Sequence, residues 1–395
     1  MRKTILLGGL LALALFLFGL PAKTAAIPAW ARKYNMNCHG CHSPAVPRLN
    51  TFGFKFKWAG YRLPEEIGEK QEVANVSDYI AARMAVQYAY NKTEGSPPTT
   101  SQFELDNATL WAGGAIGKHF GAFLEFAHSE GGTELVNHVS GVWGQAENYA
   151  GFRVGQMHWL LEGAVAGFDR PTGLAMPTPL GNPLTSALPF VFDGPQLGLE
   201  GFWVKGRNRL SAEVLNGVMI AGAGNRVAKD VALIDQFIFD KQGSGFTAVA
   251  YLGRIIGADP IAPTLTSKFT RLAITANKIF GPAELMAGYA YAKDTDLPIA
   301  AGSAFTTTSV KGNGFWLYGG YTLPKSRMTL FGRYEVVNPN SGVADQGNTR
   351  FVLGSVLPVE MPEYLRFALE YTLDQPKGPG SLKQHGLIGQ VMIVF

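Results

Sequence analysis

From about residue 77 to its last residue the chain alternates, with apolar and polar side chains changing places at each step over runs of nine or more residues. In "RMTLFGRYEVV", Met328, Leu330, Tyr334 and Val336 share one face, and Arg327, Thr329, Arg333 and Glu335 share the other. "YLRFALEYT" sets Leu365, Phe367, Leu369 and Tyr371 against Arg366, Glu370 and Thr372; "RNRLSAEVL" sets Leu210, Ala212 and Val214 against Arg209, Ser211 and Glu213. "YIAARMAVQYAY" repeats the pattern with Ile80, Met84, Val86, Tyr88 and Tyr90 against Arg83 and Gln87. Successive side chains leave a pleated strand on opposite sides, so a period of two predicts sheet with two unlike faces. Each run is about the 9–11 residues that a tilted strand needs to cross hydrocarbon.

A soluble sandwich would also alternate, and the connections separate the two cases. Strands are predicted near 78–90, 102–116, 118–129, 147–157, 193–205, 207–217, 229–240, 244–256, 267–280, 283–293, 312–323, 325–337, 347–358, 361–374 and 384–395. "GRN", "KQGS", "FGPA", "LPKS" and "PVEMP" read as tight turns, whereas 91–101, 130–146, 218–228, 257–266, 294–311, 338–346 and 375–383 read as longer loops. Short turns at one end and long loops at the other are the habit of outer-membrane β-barrels. The last strand, "GLIGQVMIVF", alternates Leu387, Val391, Ile393 and Phe395 and ends on an aromatic, which resembles the closing strand of bacterial outer-membrane barrels. A single-chain bacterial barrel has an even strand number, so a sixteenth strand is expected within 158–192, with fourteen the alternative. The expected fold class is all-β: a transmembrane outer-membrane antiparallel barrel of sixteen strands, wide enough to leave a lumen. Composition agrees, because 16% charged residues beside 47% hydrophobic ones is poor in charge for a soluble chain of 395 residues, where about 25% is usual.

The first residues read as an export signal: Arg2 and Lys3, an apolar run from Ile5 to Leu20, then small residues allowing cleavage after Ala26. Without Arg2, Lys3 and Lys23, the 34 basic residues become 31 against 30 acids, and no basic tract remains to bind nucleic acid.

Both cysteines of the chain lie in "YNMNCHGCH". Cys-x-x-Cys-His is the attachment signature of c-type haem: Cys38 and Cys41 supply two thioethers, and His42 the proximal iron ligand. A disulfide would not require His42, a structural zinc would call for a second ligand pair, and a thioredoxin-like motif would need a βαβ context. One motif means one covalent haem. Residues 27–76 lack barrel alternation and are too few for an independent domain of ordinary stability, so they are expected to form a small cytochrome c-like plug in or beneath the lumen, with 77–395 as the barrel.

"IPAWARKYNMNCHGCHSPAVPRLNTFGFKFKWAGYRL" resembles the N-terminus of the fused outer-membrane monohaem cytochrome–porins of the extracellular Fe(II)-oxidising type. The shared features are a proline and aromatic before "AR", the haem motif, Pro47 and Leu49, Phe52-Gly53, Phe56-Lys57 and Gly60-Tyr61, so the likeness covers roughly residues 27–63. The resemblance implies an outer-membrane electron-transfer protein that oxidises extracellular Fe(II) at one haem and passes the electron to a soluble periplasmic c-type cytochrome. A porin-like channel with a structural or gating haem plug, and a conduit running outward to an extracellular acceptor, are the competing readings.

No distal iron ligand is evident. His119, Met157 and His158 are placed near short turns where a plug could meet them, His39 sits inside the motif facing away, and His128 and His138 are assigned to an outer loop. Lumen charges of both signs are expected: Arg271, Arg327, Arg333 and Arg366 with Glu213, Glu335 and Glu370. They either hold haem propionates and plug or pair along a wet wall. Asp169, Asp294, Asp296 and Asp345 are loop carboxylates without chelating spacing.

Overall fold

The computed structural model describes residues 29–395 apart from 45, 47, 74, 159–172, 186–187, 189, 218–227, 257–265, 302–303 and 361–363. The export signal, Pro47 and Asp169 therefore lie outside the described residues. Sixteen antiparallel strands close into one barrel, each bonded to its sequence neighbour and the first to the last. They are β1 (Ile80–Thr93), β2 (Pro98–Ile116), β3 (Phe120–Ser129), β4 (Gly132–Gln145), β5 (Asn148–Met157), β6 (Gln196–Lys205), β7 (Asn208–Leu215) and β8 (Asp230–Ile238). The second half comprises β9 (Gly245–Ile256), β10 (Thr266–Phe280), β11 (Ala283–Ala301), β12 (Ala304–Thr322), β13 (Thr329–Asn338), β14 (Asn348–Glu360), β15 (Tyr364–Pro376) and β16 (Gln384–Val394). Closure pairs Tyr88 with Gly389 and Val86 with Val391.

The alternation maps onto inside and outside. Leu210, Val214, Leu330 and Leu369 face outward and are 44–51% exposed, while Arg209, Glu213, Arg333, Glu335, Arg366 and Glu370 face inward and are at most 4% exposed. The outward faces form an apolar belt, with Phe120, Trp143, Trp203, Phe280 and Tyr321 exposed near the short-turn ends, as in the aromatic girdles of outer-membrane barrels. No helix among the described residues is long and apolar enough to cross a membrane.

The sixteenth strand is β4, not a segment of 158–192. "GTELVNHVSGVWGQ" read as loop because Asn137, His138, Ser140 and Gly141 interrupt its apolar positions, yet Leu135, Val139 and Trp143 still face outward. Strands β1, β2, β11 and β12 also run further outward than expected, so parts of the expected loops 91–101 and 294–311 are extended hairpin.

Residues 29–79 fill the short-turn mouth. They contain α1 (Ala29–Lys33), a 3-10 turn at Cys38–Gly40 and α2 (Thr51–Trp58). Their bonds reach most of the way around the rim. Trp30 Nε1 donates to the Gly113 carbonyl at 2.9 Å, Arg62 Nη1 to the Lys118 carbonyl at 2.6 Å, and Thr51 Oγ1 to the Asp240 carbonyl at 2.5 Å. The Tyr364 hydroxyl accepts from the Val46 N–H at 3.1 Å, and Arg366 Nη1 donates to the Val46 carbonyl at 3.0 Å. Phe54, Trp58 and Ala59 pack on Val142, Tyr149, Phe202, Val204 and Ile238 of the wall.

Candidate functional site

The cysteine motif is held by two asparagine caps. Asn37 Oδ1 accepts from the Gly40 N–H at 3.2 Å, closing the turn that carries Cys38. Asn50 caps α2 by accepting from the Gly53 N–H at 3.0 Å, and its amide donates back to the His39 and Gly40 carbonyls at 3.2 and 3.1 Å. A side-chain oxygen that takes an otherwise orphaned N–H is the usual reason for Asn at such positions. Here the second cap also fastens α2 to the motif. Gly53 permits the approach, since a Cβ there would lie 2.4 Å from the Cys41 carbonyl oxygen.

Cys38 and Cys41 are not joined by a disulfide. Burial, and then the neighbouring Cys38, push the Cys41 thiol up to about 11, the opposite of the depressed value that marks a reactive thiolate. His42 Nδ1 lies 3.2 Å from the Arg48 carbonyl. A carbonyl only accepts, so Nδ1 is the donor in this contact, the ring orientation typical of an iron-ligating imidazole.

His42 and His39 open onto a cavity of about 570 Å³. The plug supplies Ser43, Pro44 and Asn50; the turns after β8, β10 and β12 supply the rest, including Lys241, Pro282, Leu323 and Arg327. That volume is in the range of cofactor pockets. Two thiols and an oriented imidazole in one turn are the donor set of a covalent haem, but of the three only His42 lines this cavity, while Cys38 packs against Ala85, Tyr364, Met392 and Val394 and the Cys41 sulfur lies 3.9 Å from that of Met36.

The other expected ligands are elsewhere. His119 Nδ1 bonds the Val142 carbonyl at 3.0 Å, and its ring stacks 5.5 Å from outward-facing Trp143. Met157 and His158 lie at the outer end of β5 rather than near a short turn: overlooking β4 inverted the direction assigned to β5. Met157 packs with Leu180 and Leu215. His158 Nδ1 bonds the Asp193 carbonyl at 2.6 Å, and its Nε2 pairs with Glu134. His138 is on the inner wall rather than an outer loop, 3.3 Å from the Tyr61 hydroxyl, while His128 does sit at the outer end beside Thr133. His39, expected to face away, lines the cavity.

Among the expected lumen charges, Arg366 holds the plug at Val46 and Arg327 lines the cavity. Arg271 instead pairs with Asp294 at 2.6 Å, which removes Asp294 from the loop carboxylates and puts it in the buried wall. Arg333 pairs with Glu335. Glu213 stands opposite Glu200, and Glu200 is gripped by Arg153 at 2.5 Å and Arg209 at 2.7 Å. Asp345 is exposed between β13 and β14.

The sequence did not reveal an inner loop. Residues 173–185, 188 and 190–192, including the short helix α3 (Thr178–Gly181), lie against the inner wall. Glu370 accepts from the Leu174 N–H at 2.8 Å, Glu335 from the Thr178 N–H at 2.7 Å, and Arg333 donates to the Ala175 carbonyl at 3.0 Å. Leu180, Leu184, Leu188, Phe190 and Phe192 then pack on Tyr251, Phe269 and Trp316. The apolar residues of this Pro-rich stretch were the available signal.

No protein-family model and no curated protein sequence matches the chain. Solved structures do. OmpF of Salmonella typhi, in complex with daunomycin, superposes with a TM-score of 0.58 at 11% identity, covering 80% of this chain and 97% of that one. The fold is that of an outer-membrane porin. An anion-selective porin from Comamonas acidovorans gives 0.55 at 11% identity, over 80% and 98% of the two chains. OmpT of Vibrio cholerae gives 0.54 at 12%, over 80% and 97%. This porin-like barrel carries, in addition, an N-terminal plug with a cysteine–histidine turn.

Proposed function

We propose that this outer-membrane barrel is a monohaem electron-transfer protein of the fused cytochrome–porin type, oxidising extracellular Fe(II) and delivering the electron to a soluble periplasmic cytochrome. One observation carries the reading: Cys38, Cys41 and an oriented His42 share one turn of the plug, and His42 opens onto a cofactor-sized cavity between plug and barrel turns. Haem, when bound, supplies a one-electron couple. Cys38 and Cys41 would hold it covalently and His42 would ligate its iron, while Arg48 fixes the imidazole through its carbonyl.

The barrel residues shape the route. The cavity lies at the short-turn end, and the apolar band of such barrels is about 25 Å tall, so an external donor must enter the lumen. The inner wall carries the buried charges Arg153, Glu200, Arg209 and Glu213. The plug and inner loop narrow the passage that a general porin keeps open, which favours electron transfer over solute transport.

Stopped-flow mixing of the haem-loaded protein with excess Fe(II), followed in the haem absorption bands, tests the proposal. Prompt reduction is expected, together with low conductance in planar bilayers. A haem that stays oxidised across physiological pH would sink the oxidase reading. A haem potential below that of the Fe(III)/Fe(II) couple in the same medium would reverse the direction to outward flow.

A further inference from the structure

The outward face of the barrel is uneven in charge. Near the long-loop ends of five consecutive strands it carries one cation each: Lys229 just before β8, Arg254 on β9, Lys268 on β10, Lys293 on β11 and Lys311 on β12. Their facing follows from the alternation, since each falls in step with an exposed apolar neighbour, Val231, Leu252, Leu272, Tyr289 or Phe315.

The five also share a level. Counted from the short-turn end of its strand, at Ile238, Gly245, Phe280, Ala283 or Thr322, each cation is nine to twelve residues away. At about 3.4 Å per residue and a tilt of about 40°, that is a height of about 23–31 Å, the outer edge of an apolar band about 25 Å tall. Among the described residues, β2–β7 and β13–β15 present no outward lysine or arginine at this level; Phe103, Leu135, Leu197, Asn338 and Leu373 stand there instead.

Within the arc, cations face cations. Arg254 is paired directly with Lys268 across β9 and β10, and Lys293 with Lys311 across β11 and β12. Like charges set opposite one another on one face destabilise a sheet, so each pair calls for an anion. The neighbouring acids Asp230 and Asp294 turn inward, to the Tyr251 hydroxyl at 2.6 Å and to Arg271 at 2.6 Å. Lys229, bonded to Asn216 Oδ1 at 2.6 Å, and Lys268 already have partners and add to the field. The side chains of Arg254, Lys293 and Lys311 make no hydrogen bond among the described residues.

We propose that the β8–β12 face seats a phosphorylated glycolipid of the outer leaflet, with its phosphates on Arg254, Lys293 and Lys311 and its acyl chains on the apolar belt below. The long loops mark this end as extracellular. Arginine offers a phosphate two parallel donors, and lysine a compact charge. The two cation pairs lie two strand spacings apart, about 10 Å. A headgroup with a phosphate at each end of a disaccharide can engage both pairs, whereas a lipid with one phosphate engages one. Tyr289 and Tyr291, on the same face just below, suit the interface where aromatic rings settle.

The full-length protein, purified from outer membranes in detergent and stripped of lipid, is titrated with diphosphoryl lipid A, its dephosphorylated form and phosphatidylglycerol. Native mass spectrometry counts the complexes. Wild type should bind diphosphoryl lipid A about tenfold more tightly than either other lipid, and R254Q/K293Q/K311Q should lose about tenfold in that affinity. R254K/K293R/K311R should retain it, and so should K92Q/K383Q, which removes two exposed lysines where β1 meets β16. Heat-modifiable gel migration verifies that each barrel is folded; K293Q/K311Q, a milder change, should still lower the affinity severalfold. Binding by a folded R254Q/K293Q/K311Q or K293Q/K311Q equal to that of wild type overturns the proposal. Equal binding of phosphatidylglycerol also overturns it, because the face would then attract anionic lipid of any kind. A protein dimer that forms without lipid and is dissolved by R254Q/K293Q/K311Q would overturn it in favour of a second copy of the chain.

Discussion

Arg48 of the plug meets Glu284 of β11 at 2.6 Å, and both side chains are nearly sealed from solvent, at 3% and 7% exposure. The pair joins the segment after the cysteine motif to a wall residue of the same cavity. Deleting one partner of a buried pair strands the other charge, which costs about 3–5 kcal/mol, whereas replacing both with apolar residues is often neutral. R48M should therefore loosen the plug while the barrel stays folded, and R48M/E284M should recover most of the loss. Protease cleavage within residues 29–79, with barrel integrity followed by heat-modifiable gel migration, measures this. A plug in R48M as resistant as that of wild type would disprove the role of the pair.

Gly312 is where the inner loop touches β12 most closely: a Cβ there would fall 1.5 Å from the Leu184 carbonyl oxygen. One turn of the pleat further on, a Cβ at Gly314 would lie 2.8 Å from Pro179. G312L should drive the loop off the wall. Single-channel conductance should rise several-fold over wild type, with the plug still protected from protease. Unchanged conductance would mean that the loop does not limit the passage.

The barrel was legible because lipid outside and a charged lumen inside impose opposite demands on alternate residues, which Arg209, Leu210 and Ser211 record directly. The failure at β4 came from positions that face the plug rather than water. His138 and Ser140 meet Tyr61 and Gly60, and Gly141 is crowded by Phe152 and Trp143, so their side chains answer to tertiary contacts. That single omission reversed β5 and carried Met157 and His158 to the wrong end. That Cys38, Cys41 and His42 belong together was legible from their spacing, while Lys241 and Arg327 sit in turns where exposed cations are ordinary. Their position around the cavity exists only once the strands are closed.

The cavity wall has an acid-sensitive component. Burial alone would raise Asp240, but hydrogen bonds from the Lys278 ammonium, Ser244 and the Gln242 N–H outweigh it and hold the carboxyl at about 2, against an ordinary 3.8. A depressed pKa contributes stability above the unfolded value and loses it as pH falls toward the folded one. The Asp240 turn, which carries Lys241 and anchors Thr51, should thus be intact above about pH 4 and loosen between 4 and 2. The protection of the residue 239–244 amides, relative to their intrinsic exchange rate at each pH, should fall over that window in wild type and already be low at pH 7 in D240N. Protection factors independent of pH between 5 and 2 would contradict this assignment.

Intrinsic propensity and packing make opposite forecasts for Gly53→Ala. Alanine is better than glycine inside a helix by about 1 kcal/mol, so propensity alone has G53A stabilising α2. The new Cβ, however, would stand 2.4 Å from the Cys41 carbonyl oxygen and 2.8 Å from the Leu49 side chain. A carbonyl in the motif turn cannot yield without disturbing the bond it accepts from the Asn50 N–H at 2.9 Å. Overpacking of this kind typically costs about 1–3 kcal/mol, enough to exceed the propensity gain. G53A should exchange the amides of residues 41–54 faster by about tenfold or more, lose the fixed orientation of His42, and slow reduction by Fe(II), with the melting of the barrel unchanged. Slower exchange than wild type would show that helix propensity decides here and that the contact between α2 and the cysteine turn is looser than the 2.4 Å approach requires.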